Sequence, residues 1–181
     1  YAAFGRPEIW PRGFPLEELH YETIDRGSYR SNTFKHINNA SIWQGLADLD
    51  PDVDAIFRLT HSDRLKRVIF PRKAPVYIPH GLFAPFNSQN TMFFAPAFWG
   101  LYLPKTVSFR LTDIWRGYFT QKLMQYLDQH VAFVGPTVSQ TRNPHNYHDD
   151  YLEERQMYEQ TAHLLRFLQA WNPPPTITRF F

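Results

Sequence analysis

Asp113 is the residue whose setting points most directly to chemistry. It stands in Phe109-Arg-Leu-Thr-Asp-Ile-Trp-Arg-Gly-Tyr118, at the start of what reads as an amphipathic helix crowded with aromatic side chains. The free backbone N–H groups of a helix's first turn favour negative charge. An acid held ionised there suits a general base, or a residue that orients a sugar hydroxyl. The same pattern also fits an ordinary acid in a first helical turn.

Three other clusters carry donors or acceptors. Asp48-Leu-Asp-Pro-Asp-Val-Asp54 places four acids at alternate positions. A calcium loop fails, because Val53 stands where the turn glycine belongs and Leu59 where the bidentate glutamate belongs. Asp48 and Asp50 also have the spacing of an Asp-x-Asp pair holding Mg²⁺ or Mn²⁺ against a nucleotide-sugar diphosphate. The Asp-Pro step reads more simply as a turn or helix start. Asn87-Ser-Gln-Asn-Thr91 is a polar cluster in an apolar region, built either to hold its own loop or to line a site for a hydroxyl-rich ligand. Asn143-Pro-His-Asn-Tyr-His148 follows an expected strand, and its histidines could ligate a metal or meet a phosphate. Their spacing alone does not make a zinc site, and each also reads as a loop histidine. Arg110, Arg116 and Arg142 are candidate diphosphate contacts, with solvated surface arginine as the default.

The elements that must position these groups are irregularly spaced. Ser41–Leu49, Val76–Ile78, Thr91–Phe94 and His130–Val138 read as strands. Asp54–Leu59 is a short strand or a helical turn, and Leu16–Tyr21 a short helix. Ser28–Asn39 reads as a polar loop, and Pro96–Leu103 is apolar up to Pro104. The longest clear helix should run from Thr112 or Asp113 to about Gln129. Its stripe would be Trp115, Phe119, Leu123, Tyr126 and Leu127. A final helix should open near Asp149, with Asp150 and Glu153 at capping-box spacing. Met157, Thr161, Leu164, Leu168 and Trp171 would form its buried face, and Asn172-Pro-Pro-Pro175 would stop it. Strands mixed with helices, without a repeat or a clear boundary, indicate one α/β domain.

Composition narrows the function classes. The 181 residues are 43% apolar, enough for a real core. Aromatics reach 17%, which fits ring faces packed on sugars and equally fits a well-filled core. A net charge of +2 with scattered Lys and Arg gives no footprint for nucleic acid. No run approaches membrane-spanning length. The absence of cysteine excludes disulfide and thiolate chemistry. No nucleophile elbow, Walker loop, dinucleotide fingerprint or zincin helix is present. The chain opens at Tyr1 without Met, as expected for a piece of a longer protein.

Several segments together resemble the glycosyltransferase-like domain of the STELLO proteins. They are Ile9-Trp-Pro-Arg-Gly-Phe-Pro-Leu-Glu17, Gln44 to Thr60, Pro85 to Thr91, Phe109 to Gly117 and Arg142-Asn-Pro-His-Asn-Tyr147. They occur in the family's order over nearly the whole chain. Asp113, Trp115 and Gly117 also resemble the Asp-x-Trp-x-Gly helix opening of the reversibly glycosylated polypeptides, which are UDP-arabinopyranose mutases. The resemblance implies a GT-A-type, Rossmann-like fold that binds a nucleotide sugar, of which residues 1–181 would be the C-terminal, acceptor-side half. By the same alignment the metal-binding Asp-x-Asp pair lies upstream, and Asp48 and Asp50 are not its equivalent.

The resemblance further implies roles. Asp113 would be the acceptor-side base or anchor. Asn87, Gln89 and Asn90 would contact sugar hydroxyls, and Trp115 or Trp99 would pack on a sugar face. Arg116 would join the substrate contacts, and His145 would be a third ligand to Mn²⁺ or Mg²⁺. The donor would be UDP-linked and the acceptor a glycan or protein, in the Golgi lumen or secretory pathway, with a possible complex with other glycosyltransferases. The alternative is a glycosyltransferase-like scaffold that binds partner proteins in polysaccharide synthesis without catalysing.

Overall fold

A computed structural model describes residues 1–19 and 39–174. Its centre is β1, Ala40–Asp48, buried along nearly its whole length, as a strand covered on both faces must be. β4, His130–Ser139, runs parallel to β1, from Ala40 opposite His130 to Asp48 opposite Ser139. β2, Val76–Tyr77, pairs antiparallel with the outer side of β4. β3, Thr91–Phe93, pairs antiparallel with β1. The sheet is therefore mixed, in the order β2-β4-β1-β3. This is the α/β architecture expected, and it is consistent with part of a Rossmann-like domain.

One irregularity in β4 follows from sequence. Gly45 pairs with Val134 and Ala47 with Val138, so the intervening stretch of β4 bulges. Pro136 lies in that stretch, and a residue without an N–H cannot serve a central ladder. The bulge aims Thr137 across β1, where its Oγ1 accepts a 2.8 Å bond from Asn90 Nδ2. Asn90 lies directly over Gly45, where any Cβ would come within 2.3 Å of its Nδ2.

The helices depart from expectation in phase more than in existence. The ambiguous Asp54–Leu59 segment is a helix, α1, Ala55–Thr60, with the Asp54 carboxylate accepting from Phe57 N at 2.7 Å. α2 spans Phe109–Tyr126 and starts one turn earlier than expected, after Ser108. Its expected stripe is out of phase: Phe119 and Tyr126 are exposed, whereas Leu111, Ile114 and Tyr118 are fully buried. The reason is that α2 is enclosed on several sides, and Arg116, Thr120 and Gln121 are buried by bonding to neighbouring loops. α3, Tyr147–Ala170, packs Met157 and Leu168 against Leu111, Ile114 and Tyr118. Its cap is Asn146, which accepts from His148 N, and not the expected capping box. Asp150 pairs with Arg110 instead, and Glu153 is exposed.

Pro96–Leu103 contributes to a 3-10 helix at Ala95–Leu101, and Leu16–Glu18 forms another. The rest of Leu16–Tyr21 beyond residue 19, and all of Ser28–Asn39 but its last residue, lie outside the described residues.

Candidate functional site

The C-terminal ends of β1 and β4 lead into the two loops that matter, residues 48–54 and 140–146. Crevices outside the carboxyl ends of parallel strands are where α/β sheets place ligands. Here the sequence supplies charges of both signs.

Asp113 reaches this region by a different route from the one expected. Because α2 begins at Phe109, Asp113 lies in the second turn and no acid occupies the first. Its charge is held by Arg12, not by first-turn N–H groups. Arg12 donates through NH1 to Asp113 Oδ1 at 3.2 Å and through NH2 to Asp113 Oδ2 at 3.1 Å. Ser88 N–H donates to the same Oδ2 at 3.0 Å. The other side of the guanidinium forks onto Asp52, with Nε–Oδ1 at 3.0 Å and NH2–Oδ2 at 2.9 Å. NH1 also donates to the Arg110 carbonyl. Burial opposes the Arg12 charge, but the two carboxylates outweigh it and raise its pKa further. Burial would likewise raise Asp52, yet Arg12 overrides it and holds that carboxyl below the usual range.

The acid run is thus mostly structural. Asp48 accepts from Phe70 N at 2.9 Å, Asp50 pairs with Arg58 at 2.8 Å, and Asp54 caps α1. Asp48 and Asp50 face different partners and form no shared ion site.

The polar loop near residue 88 docks along one face of α2. Asp113, Gly117, Gln121 and Gln125 are spaced i, i+4, i+8 and i+12, so they share that face. Gln125 Nε2 donates to Leu82 O at 3.2 Å. Gln121 bonds Ala84 both ways, donating to its carbonyl at 2.7 Å and accepting from its N–H at 3.0 Å. Gly117 admits the Phe86 carbonyl, which a Cβ would approach to 2.9 Å. Asp113 takes the Ser88 N–H. From the sheet side, the buried Gln44 accepts from Asn87 N at 2.8 Å and from Thr91 Oγ1 at 3.0 Å.

This arrangement sorts the expected substrate contacts. Asn87 Oδ1 accepts from Gln89 N at 2.9 Å, and Asn90 donates to Leu46 O at 2.9 Å, so both amides brace the loop. Arg116 also braces it, with NH2 on Ser88 Oγ at 2.9 Å and its guanidinium over the Phe93 ring. Burial lowers its pKa, with Asp113 partly compensating. Trp115 donates to Thr161 Oγ1 at 3.2 Å in the α2–α3 interface, and Trp99 donates to Pro96 O at 2.8 Å. Arg110 is engaged with Asp150 and Glu154.

The residues that do converge line a polar pocket of about 330 Å³. Its walls include Arg12, Asp52, Gln89, Arg142 and His145. Asp113 stands directly behind Arg12. Arg142 lines the pocket with its buried Nε 3.3 Å from Asp50 Oδ2, without an aligned hydrogen bond, and its NH2 4.0 Å from Asp52 Oδ1. Burial pulls its pKa down. Such a guanidinium suits a phosphate or carboxylate guest.

His145 Nδ1 lies 3.4 Å from Asp150 Oδ2. One imidazole and one carboxylate do not by themselves hold a divalent ion, and Arg110 NH1 lies 3.1 Å from the same Asp150. The residues present therefore do not fit a cation unaided. Sequence reasoning gave no role to Arg12, Gln44 or Gln121. Arg12 was visible only as part of Trp10-Pro-Arg-Gly13, and a long-range ion pair leaves no local signal.

A mixed α/β sheet with a charged pocket at its carboxyl edge is consistent with part of a Rossmann-like ligand-binding domain. Residues 110–178 match the family model for STELLO glycosyltransferases. The chain is 35% identical over 174 residues to a protein named probable glycosyltransferase STELLO1 from Arabidopsis thaliana, and 34% identical to STELLO2 of the same plant. Each match covers 94% of this chain but 22% of the relative, so the chain spans about a fifth of their length. The chain belongs to the STELLO glycosyltransferase family. Among the described residues, no helix is long and apolar enough to cross a membrane.

Proposed function

We propose that this chain forms the acceptor-side part of a GT-A-type glycosyltransferase domain that moves a sugar from a UDP-linked donor to a glycan or protein. The supporting observation is the Arg12-centred cluster, in which the Asp113 and Asp52 carboxylates share one guanidinium at the wall of a polar pocket. With both oxygens of Asp113 in hydrogen bonds, this carboxylate serves best as an anchor that orients an acceptor hydroxyl. Arg142 would take the donor's diphosphate, and Gln89 would reach a sugar hydroxyl. The family resemblance supports a setting in the Golgi lumen or secretory pathway.

The test compares Asp113→Asn and Arg142→Gln with the parent in the longest product of the gene, following UDP release from UDP-sugars over an acceptor panel. Asp113→Asn should cut transfer by about 100-fold or more while the protein stays folded. Arg142→Gln should raise the donor KM. Transfer unchanged by Asp113→Asn would remove that residue from the mechanism.

One observation favours a second reading. Both oxygens of Asp113 already have partners inside the protein, as expected of a structural acid in a scaffold that binds other glycosyltransferases. No calorimetric heat with UDP, with or without Mn²⁺, together with no transfer, would support the scaffold.

A further inference from the structure

We propose that His80, Asp128 and His130 form a surface site for a transition-metal ion of the zinc type, separate from the pocket above. One ligating atom from each lies within 4.8 Å of the others. His130 opens β4 and Asp128 sits in the turn between α2 and β4, whereas His80 follows β2. The fold thus brings two stretches of chain, residue 80 and residues 128–130, to one point.

The local chemistry favours ligation. His130 is 6% exposed, and its Nδ1 lies 3.3 Å from the Ile78 carbonyl oxygen. A carbonyl only accepts, so Nδ1 carries the proton and, in the neutral ring, the lone pair is on Nε2. A ring fixed through Nδ1–H to a backbone carbonyl is the arrangement that orients metal-bound histidine. The His80 and His130 rings stack, with centroids 4.5 Å apart at 18°. Near-parallel rings do not aim their in-plane lone pairs at one point, so binding requires the exposed His80 ring to rotate out of the stack. Asp128 supplies the carboxylate from a residue at φ 51°, so its direction is set by the turn.

Two imidazoles and one carboxylate select zinc-type ions over Mg²⁺ or Ca²⁺, which prefer all-oxygen shells. With both His80 and Asp128 exposed, solvent would complete the coordination. The site lies at the N-terminal end of β4, about 30 Å along the strand from Ser139 at the pocket end. An ion there would clasp the segment after β2 to the α2–β4 turn and stabilise the fold. It would take no part in transfer.

The experiment titrates ZnCl₂ into the tag-free, EDTA-stripped chain by calorimetry and follows Tm and Co²⁺ absorption. One equivalent should bind with micromolar or tighter affinity, Tm should rise with zinc, and Co²⁺ should give the visible bands of a low-coordinate ion. His80→Ala and Asp128→Asn should each weaken binding at least about tenfold. Both changes are at exposed positions, and Asn tolerates a left-handed backbone, so folding should survive and is checked by circular dichroism. Absence of binding, or binding that both variants retain in full, would overturn the proposal.

Discussion

Replacing Arg12 by Met probes the site at its centre. The guanidinium is 10% exposed, and its two carboxylates are 8% and 16% exposed, so little solvent is available to take over. Removing one partner of a buried ion pair typically costs about 3–5 kcal/mol. Two features move this case to about 3 kcal/mol within that range. Asp113 keeps the Ser88 N–H, and Arg142 NH2 stands 4.0 Å from Asp52. With a urea m value of about 2 kcal/mol/M, the midpoint should fall by about 1.5 M. The five tryptophans give the fluorescence signal for the titration. Arg12→Lys keeps the charge but loses the fork, and should lose only about 1–2 kcal/mol.

The pH dependence supplies a sign as well as a size. Asp52 has a folded pKa below its unfolded value, so its contribution is present above about pH 4 and is lost as pH falls through the folded value. Without Arg12, burial dominates and the sign reverses: the carboxyl is easier to protonate in the fold. The deficit of Arg12→Met should therefore shrink as pH drops from 7 toward 4. A midpoint shift below about 0.5 M, or a deficit that does not change with pH, would show that Arg12 does not hold these acids.

Two further changes test the scaffold around the site. Gln121→Leu should leave the Ala84 N–H and carbonyl without partners, costing about 3 kcal/mol and lowering Tm by about 6–12 °C. A loss under about 2 °C would mean that the loop stands without this amide. Asp54 has its pKa raised to about 6, chiefly by burial, against the hydrogen bonds from Phe57 N and Trp10 Nε1. Ionising it in the fold therefore costs up to about 3 kcal/mol above pH 6, relieved as pH falls toward about 4. The wild type should gain on Asp54→Asn by about 2 kcal/mol between pH 7.5 and 4.5 in urea titrations. A constant gap would mean that Asp54 titrates normally.

What was legible in the sequence was what depends on local pattern. The strands at Ser41–Leu49 and His130–Val138 are marked by clustered apolar residues such as Ile42, Trp43, Leu46 and Val131–Val134, and both formed within a residue or two. The long helices were visible, but the phase of α2 was not. A helix enclosed by loops as well as by α3 buries polar residues such as Gln121 and Arg116, and these blur the stripe. Helix starts were misplaced because Ser108 and Asn146 precede the acids that looked like caps. Gln89 and His145 line one pocket, and Asp113 meets it only through Arg12. Arg12 could not be found from spacing, since its partners are 40 and 101 residues away.

The Asp113–Gly117 motif has a folding reason that stands apart from any chemistry. Gly117 must lack a side chain because the Phe86 carbonyl rests against the helix there, and Asp113 one turn earlier receives the Ser88 N–H. Glycine inside a helix costs about 1 kcal/mol against alanine, so its presence marks a contact that repays more than that. Gly117→Ala should gain this propensity yet lose more by pushing the Phe86 carbonyl outward, since Phe86 is buried and Ala84, Asn87 and Ser88 are all tied down. The displacement would reach Ser88 N–H and loosen one oxygen of Asp113. If Asp113 anchors an acceptor, Gly117→Ala should lower kcat/KM by more than its loss of stability accounts for. If Asp113 is only a loop fastener, stability alone should change. A Gly117→Ala protein as stable as the parent and equally active would refute the close-packing account of the motif itself.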